Sequence, residues 1–356
     1  MLTGHGGNLR DVGERYGISP DKIIDFSASV NPLGFPASLK TAVRNGLRTI
    51  GNYPDPLYLD LRNRIAKRYS ITADRIIVGN GSTELIHLIP RTLWFSNWLV
   101  VAPGYADYSD ACEKSGKRIR FHYLSPEDGF DFHPEKLEAE LPDCDAVFLG
   151  NPNNPTGSLI HPKKLLRLVS RWDGVFFVVD EAFIDFVEES DRWSLLFTRM
   201  PGNLLVLRSC TKIFGVPGLR LGYAVGSKQF IHRMHSLKEP WTVNCFAEEA
   251  GKLFVHEKGY LKRTHNLIRK EKEFLLSQIG KMDGFFAYPS ATNFLLIRSP
   301  LKGRMGEKIQ NQLLKRRLLI RDCANFKGLD SSFFRVAVRR RKENRLLVNA
   351  LKEVAG

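Results

Sequence analysis

Short runs that are apolar at every position alternate, along the middle of the chain, with stretches whose apolar residues recur every three or four positions. The runs RIIVGN (75–80), WLVVAP (98–103), DAVFLGNP (145–152), GVFFVVDE (174–181), NLLVLRS (203–209) and LRLGYAVG (219–226) predict strands. VFFVVD has no polar alternation, as expected of a strand covered on both faces. The amphipathic stretches between them predict helices around 83–94, 105–116, 133–141 and 161–172. This alternation predicts an α/β fold with a mostly parallel sheet.

The last third has a different rhythm. One long helical stretch over 243–282 is followed by TNFLLIRS, a helix near 304–316, LLIRDC, FFRVAVR and a terminal helix after Lys342, the pattern of a small α+β domain. The first 40 or so residues predict one helix near 8–17 and then the extended segment DFSASVNPLGFP. That segment can return to join the C-terminal part. The division expected is a large domain over 45–257 and a composite small domain from 1–44 and 258–356.

Composition narrows the class. The chain has 356 residues, 43% hydrophobic and 26% charged, which excludes disordered and fibrous classes. No apolar run approaches the length of a membrane helix, and MLTGHGGNLRD has no apolar signal stretch. The five cysteines (Cys112, Cys144, Cys210, Cys245, Cys323) are scattered without a CxxC pair, so neither a disulfide framework nor a zinc site is expected. A cytoplasmic location follows as the expectation. The formal net charge of +15 is read as solubilising helix faces, because no nucleic-acid-binding motif accompanies it.

Five features fall at the predicted strand ends, where open α/β sheets bind ligands. Gly79-Asn80-Gly81-Ser82-Thr83-Glu84 runs from a strand into a helix start, which suits an anion such as phosphate and suits a plain N-cap equally well. Asn151-Pro152-Asn153-Asn154-Pro155-Thr156-Gly157 is a rigid turn that can also present an amide to a ring oxygen. Asp180 ends an entirely apolar strand, where a carboxylate needs a cation or donor. Ser209-Cys210-Thr211-Lys212, followed by Gly218-Leu219-Arg220-Leu221-Gly222, supplies a lysine suited to a covalent imine, with hydroxyls and a guanidinium that can close around phosphate. Arg321 and Arg335 stand between apolar neighbours on predicted strands; they either pair with internal carboxylates or grip a substrate carboxylate and a second anion.

NPNNPTG, DEAF, SCTK, GLRLGY and RVAVR, in that order and spacing, resemble the aspartate-aminotransferase superfamily of fold type I pyridoxal-phosphate enzymes. The resemblance implies a large domain with a mostly parallel seven-stranded sheet, a smaller α+β domain, and pyridoxal 5'-phosphate as cofactor. The opening HGGNLRDVGERYGISPDKIIDFSASVNPLG and RDCANFKGLDSSFFRVAVR look like the threonine-phosphate decarboxylase branch of cobalamin biosynthesis rather than the histidinol-phosphate aminotransferases. Phe183, where the aminotransferases usually carry tyrosine, agrees with that branch.

Carried over by residue, the resemblance implies that Lys212 binds the cofactor covalently, Asp180 holds its ring nitrogen protonated and Asn154 bonds its phenolic oxygen. Tyr105 would stack on the ring, with Tyr108 as substitute. Ser82, Thr83, Ser209, Thr211 and Arg220 would hold its phosphate. Tyr53 either reaches the cofactor of a second subunit, implying a homodimer, or packs beside two prolines. His5, Gly6 and Arg321 would meet the phosphate or carboxylate of a phosphorylated amino-acid substrate, and Arg335 would be the principal carboxylate anchor. Ser29 stands where this branch often has asparagine, which leaves phosphoserine open beside phosphothreonine.

Overall fold

The structure is a computed structural model and describes residues 6–300 and 305–355. Its thirteen strands among these residues are β1 (Ile24–Asp25), β2 (Ile76–Asn80), β3 (Asn97–Ala102), β4 (Arg118–Tyr123), β5 (Ala146–Gly150), β6 (Phe176–Asp180), β7 (Leu204–Ser209), β8 (Leu221–Val225), β9 (Phe286–Ala287), β10 (Phe294–Arg298), β11 (Leu318–Leu319), β12 (Arg321–Asp322) and β13 (Phe333–Ala337). Seven of them form one sheet in the order β2-β8-β7-β6-β5-β3-β4, parallel except for β8, which runs against both of its neighbours.

The unbroken apolar runs have a direct cause. Val147, Leu149, Phe177 and Val179 face one core cluster, whereas Ala146, Phe148, Phe176 and Val178 face another across the sheet. Both faces are thus sealed by helices, and a fully buried Phe or Val contributes about 1.5–3 kcal/mol there. β4 went unpredicted because it is the edge strand: its burial alternates and it carries Arg118, Arg120 and His122.

The helical stretch over 243–282 is two helices, Cys245–Phe254 and Lys258–Ile279. The first packs on helices Ser38–Thr49 and Leu59–Tyr69, the second on helix Arg341–Ala355. The break at 255–257 lets each half bury its own apolar face against a different neighbour. The second sheet is antiparallel, in the order β12-β13-β10-β9. The predicted N-terminal helix spans Leu9–Tyr16, with the Asn8 side chain accepting from the Asp11 amide and Gly17 left-handed at its end. The extended segment after it does return: β1 pairs in parallel with β11, and the Phe26 amide and carbonyl bond to Leu319 and Ala337. Among the described residues no helix is long and apolar enough to cross a membrane.

Candidate active site

The parallel strands β5, β6 and β7 end side by side, and the chain beyond each end borders a cavity of about 460 Å³. Ser82, Thr83, Tyr105, Asn154, Asp180, Ser209, Thr211, Lys212 and Arg220 line it, together with Gly6, Ser29, Arg321 and Arg335. Residues separated by more than 300 positions are thus brought to one space. His5 lies outside the described residues. Tyr53 does not reach this cavity; it is 83% exposed, with its ring 5.1 Å from that of Trp241.

Asp180 is the last residue of β6 and is buried. Its Oδ2 accepts from the Tyr108 phenol at 2.8 Å and its Oδ1 from the Ala182 amide at 2.9 Å. Burial nonetheless pushes the carboxyl up to about 6, against these bonds and the nearby Lys212 charge. Lys212 sits in the short helix Cys210–Ile213 that follows β7. Burial, and then the charges of Arg220 and Arg335, bring its amine down to about 8. A lysine so tuned is neutral in part near neutral pH, which a nucleophilic amine requires.

The antiparallel strand β8 assembles the anion end. Gly222 pairs with Gly79 on one side and Ser209 on the other, so the two phosphate-binding candidates flank one residue. A Cβ on Gly222 would stand 2.4 Å from the Ser82 amide nitrogen. Arg220 folds back with its Nη2 against Gly81, where a Cβ would be 2.4 Å away and where φ is +74°. The Ser209 and Thr211 hydroxyls lie 2.8 Å apart. Hydroxyls, a guanidinium and the start of helix Gly81–Thr92 therefore converge, a donor set that matches a phosphate group.

The opposite end is lined by arginines. Arg335, on β13, is buried; it bonds Asn154 Oδ1 through Nη1 and the Ser27 carbonyl through Nη2 at 2.8 Å. Its Nε, and the Ser29 Oγ, are buried without a hydrogen-bond partner among the described residues. Burial lowers the Arg335 guanidinium to about 10. Arg321, on β12, bonds the Asn325 amide oxygen at 2.8 Å and lies over the Phe326 ring. β12 and β13 place the two arginines directly opposite each other, since Arg321 and Arg335 are cross-strand partners.

The two tyrosines occupy different settings. Tyr108 is buried, stacked on Phe148 at 4.3 Å and bonded to Asp180. Tyr105 is half-buried, meets Tyr108 edge-on at 5.7 Å, and its phenol interacts with Asp107 and Thr83.

A family model described as aminotransferase class I and II matches residues 21–351. The chain belongs to that family. It is 38% identical over 355 residues to the threonine-phosphate decarboxylase of Salmonella typhimurium, covering 99% of this chain and 96% of that protein. It is 32% identical to the adenosylcobalamin biosynthesis bifunctional protein CobDQ of Leptospira interrogans, over 99% of this chain and 41% of that longer protein. Among solved structures, the histidinol-phosphate aminotransferase of Clostridium acetobutylicum superposes with a TM-score of 0.86 at 32% identity, covering 93% of this chain and 98% of that one. The L-threonine-O-3-phosphate decarboxylase of Porphyromonas gingivalis gives 0.82 at 30% identity, covering 92% and 98%.

Several residues around the site have roles that their place in the sequence does not disclose. Glu181, fully buried beside Asp180, receives bonds from the Ser194 hydroxyl (2.5 Å) and Leu195 amide (2.7 Å) and pairs with Arg208 at 3.2 Å. Arg208 also pairs with Asp185 at 2.5 Å. This network ties the residue after β6 to the end of β7, one position beyond Asp180 and four before Lys212. Asp25 and Arg339 also border the cavity. Both lie inside stretches that carry the resemblance, DFSASVNPLG and RVAVR, but only the fold shows what each one touches.

Proposed function

We propose that this protein is a pyridoxal-phosphate-dependent decarboxylase that converts L-threonine O-3-phosphate to (R)-1-amino-2-propanol O-2-phosphate and CO₂ in cobalamin biosynthesis. The observation that carries the reaction class is Lys212 and Asp180 in one cavity, between a phosphate-shaped donor set and a pair of opposed arginines. The residues fit the cofactor: the cluster at Ser82, Thr83, Ser209, Thr211 and Arg220 is all donors or cation, and Gly81 leaves the space that Arg220 fills. The choice of decarboxylation draws support from the full-length likeness to the Salmonella enzyme, and the pathway from the Leptospira relative.

When bound, pyridoxal phosphate supplies an electrophilic carbonyl and a conjugated ring that takes up the electron pair of a breaking bond to Cα. The Lys212 amine holds the cofactor and afterwards returns a proton to Cα. Asp180 keeps the ring nitrogen protonated, with Tyr108 and the Ala182 amide fixing its orientation. The Asn154 amide N–H would donate to the phenolic oxygen, and Phe183 would add no hydroxyl there. Tyr105 would cover the ring, since Tyr108 is stacked on Phe148 and bonded to Asp180. Arg335 anchors the substrate carboxylate, while Arg321, Gly6, Ser29 and His5 receive the substrate phosphate. Which bond at Cα breaks depends on where these groups hold the two anions.

The division into a domain over 45–257 and a composite one from 1–44 and 258–356 belongs to this reading, supported by the β1–β11 pairing. So does a homodimer. Phe35, Leu47, Ile50 and Leu57 are exposed in the same region of sequence as Tyr53, with Trp241 against it, and such a set is suited to burial by a second copy. A cytoplasmic location completes the proposal.

A second reading, amino transfer from histidinol phosphate, draws on the higher TM-score of the Clostridium structure. Product analysis separates the two. The purified holoenzyme is given phosphothreonine or phosphoserine without a keto acid, and histidinol phosphate with 2-oxoglutarate. CO₂ from phosphothreonine supports the proposal; faster release from phosphoserine revises the substrate; amino transfer without CO₂ refutes decarboxylation.

A further inference from the structure

Residues 25–28 are bonded more densely than an extended connection requires. Asp25 Oδ1 accepts from the Ser27 amide at 2.7 Å, the Ser27 hydroxyl at 2.6 Å and the Ala28 amide at 3.2 Å. The Ser27 hydroxyl in turn accepts from the Gly7 amide at 2.9 Å. The Ser27 carbonyl accepts from Arg335 Nη2 at 2.8 Å, and the Asp25 carbonyl from Arg339 Nη1 at 2.9 Å. The N-terminal segment and the buried arginine therefore meet on one residue, the first through its hydroxyl and the second through its carbonyl. Gly6 makes the approach possible, since a Cβ there would stand 2.4 Å from the Ser27 carbonyl oxygen.

Proton bookkeeping fixes the direction of this chain. A hydroxyl has one proton, and an ionised carboxylate can only accept. Ser27 must donate to Asp25, which turns its lone pairs toward the Gly7 N–H. Without the carboxylate the hydroxyl is free to rotate, and the Gly7 bond loses its alignment. The bond to a carboxylate also polarises the hydroxyl, which makes it a better acceptor. Gly6, Gly7, Asp25 and Ser27 all border the cavity.

We propose that Asp25, acting through the Ser27 hydroxyl, is a positioning residue that holds Gly6 and Gly7 against the arginine end of the cavity and thereby sets affinity for the anionic side chain of the substrate. The identity of that substrate rests on the proposed function; the clamp itself does not.

The test compares wild-type holoenzyme with S27A, D25A, D25N and the D25A/S27A double variant. Hydrogen exchange at the Gly7 amide reads the clamp, and KM and kcat with phosphothreonine read its consequence. S27A and D25A should each speed Gly7 exchange at least about tenfold and raise KM about five- to tenfold, the worth of one hydrogen bond. Their kcat should stay within about twofold and their cofactor content unchanged. D25N keeps an acceptor oxygen but loses the charge that polarises the hydroxyl, so it should fall between wild type and D25A, and the double variant should be no worse than D25A. Unchanged Gly7 exchange in S27A overturns the clamp. Faster exchange with unchanged KM overturns its role in affinity. Equal loss of kcat, KM and cofactor in D25N and S27A would mean a merely structural role and also overturns it. A wild-type enzyme that protects Gly7 yet leaves phosphothreonine untouched supports the clamp and refutes the substrate assignment.

Discussion

Gly81→Ala tests whether the phosphate end of the cavity is built around one guanidinium. Gly81 begins helix Gly81–Thr92 at φ +74°, and alanine in that left-handed backbone costs about 1–2 kcal/mol. The added Cβ would stand 2.4 Å from Arg220 Nη2, whereas ordinary contact begins at 3.4 Å. The guanidinium must therefore withdraw by 3.4 − 2.4, or about 1 Å, far enough to break a hydrogen bond to an anion it holds. A charge-assisted bond contributes about 1.5–3 kcal/mol, so pyridoxal phosphate should bind about 10- to 140-fold more weakly. Titration of the apoprotein with cofactor, followed by visible absorbance, measures this. The backbone cost should lower the apoprotein melting temperature by about 1–3 °C for a chain of this size. Because the effect is routed through Arg220, the G81A/R220A double variant should bind no more weakly than R220A. Binding by G81A within twofold of wild type, or full additivity with R220A, would refute the reasoning.

Further expectations follow from the buried charges. Burial raises Asp180 from 3.8 to about 6, so between those values the folded protein holds more protons than the unfolded chain. The apoprotein should lose up to about 3 kcal/mol of stability from this group as pH rises through 6; D180N should abolish that slope in urea unfolding at pH 4 and pH 7, and an unchanged slope contradicts the assignment. Lys212 in the apoprotein should react with an amine-acylating reagent with a midpoint near pH 8, moving upward in R220M and R335M, which remove positive charge; a midpoint above pH 10 in wild type would be inconsistent with its setting. R208M leaves Glu181 buried without its cation and should cost about 3–5 kcal/mol in chemical denaturation, while a loss under 1 kcal/mol would show that this network does not hold the strand ends.

The strands that carry the site were legible because their residues are apolar on both faces, and a sheet covered on both sides leaves no alternation to confuse with a helix. Edge strand β4 was not, since half of its positions face outward and its charges hide the pattern. The site motifs were legible for a related reason. Asp180, Asn154 and Lys212 sit at or just beyond the C-terminal end of an apolar strand, and Arg220 immediately before the start of one. Asp25, Glu181, Arg208 and Arg339 stand in or beside the same runs and motifs, yet nothing in their position discloses what each one pairs with. A buried charge is defined by its partners, and Arg208 lies 27 positions from Glu181 while Arg339 lies 314 from Asp25.

Local chemistry alone therefore determined the class of fold, the strand ends and the chemical types gathered there, because periodicity, turn residues and functional groups are properties of neighbours along the chain. Tertiary structure decided the rest. It broke the helical stretch at 255–257, turned β8 against its neighbours so that Gly222 joins Gly79 to Ser209, and set Arg321 opposite Arg335. Those outcomes depend on which distant surfaces exclude water together, and burial between remote segments has no signature in any single stretch of sequence.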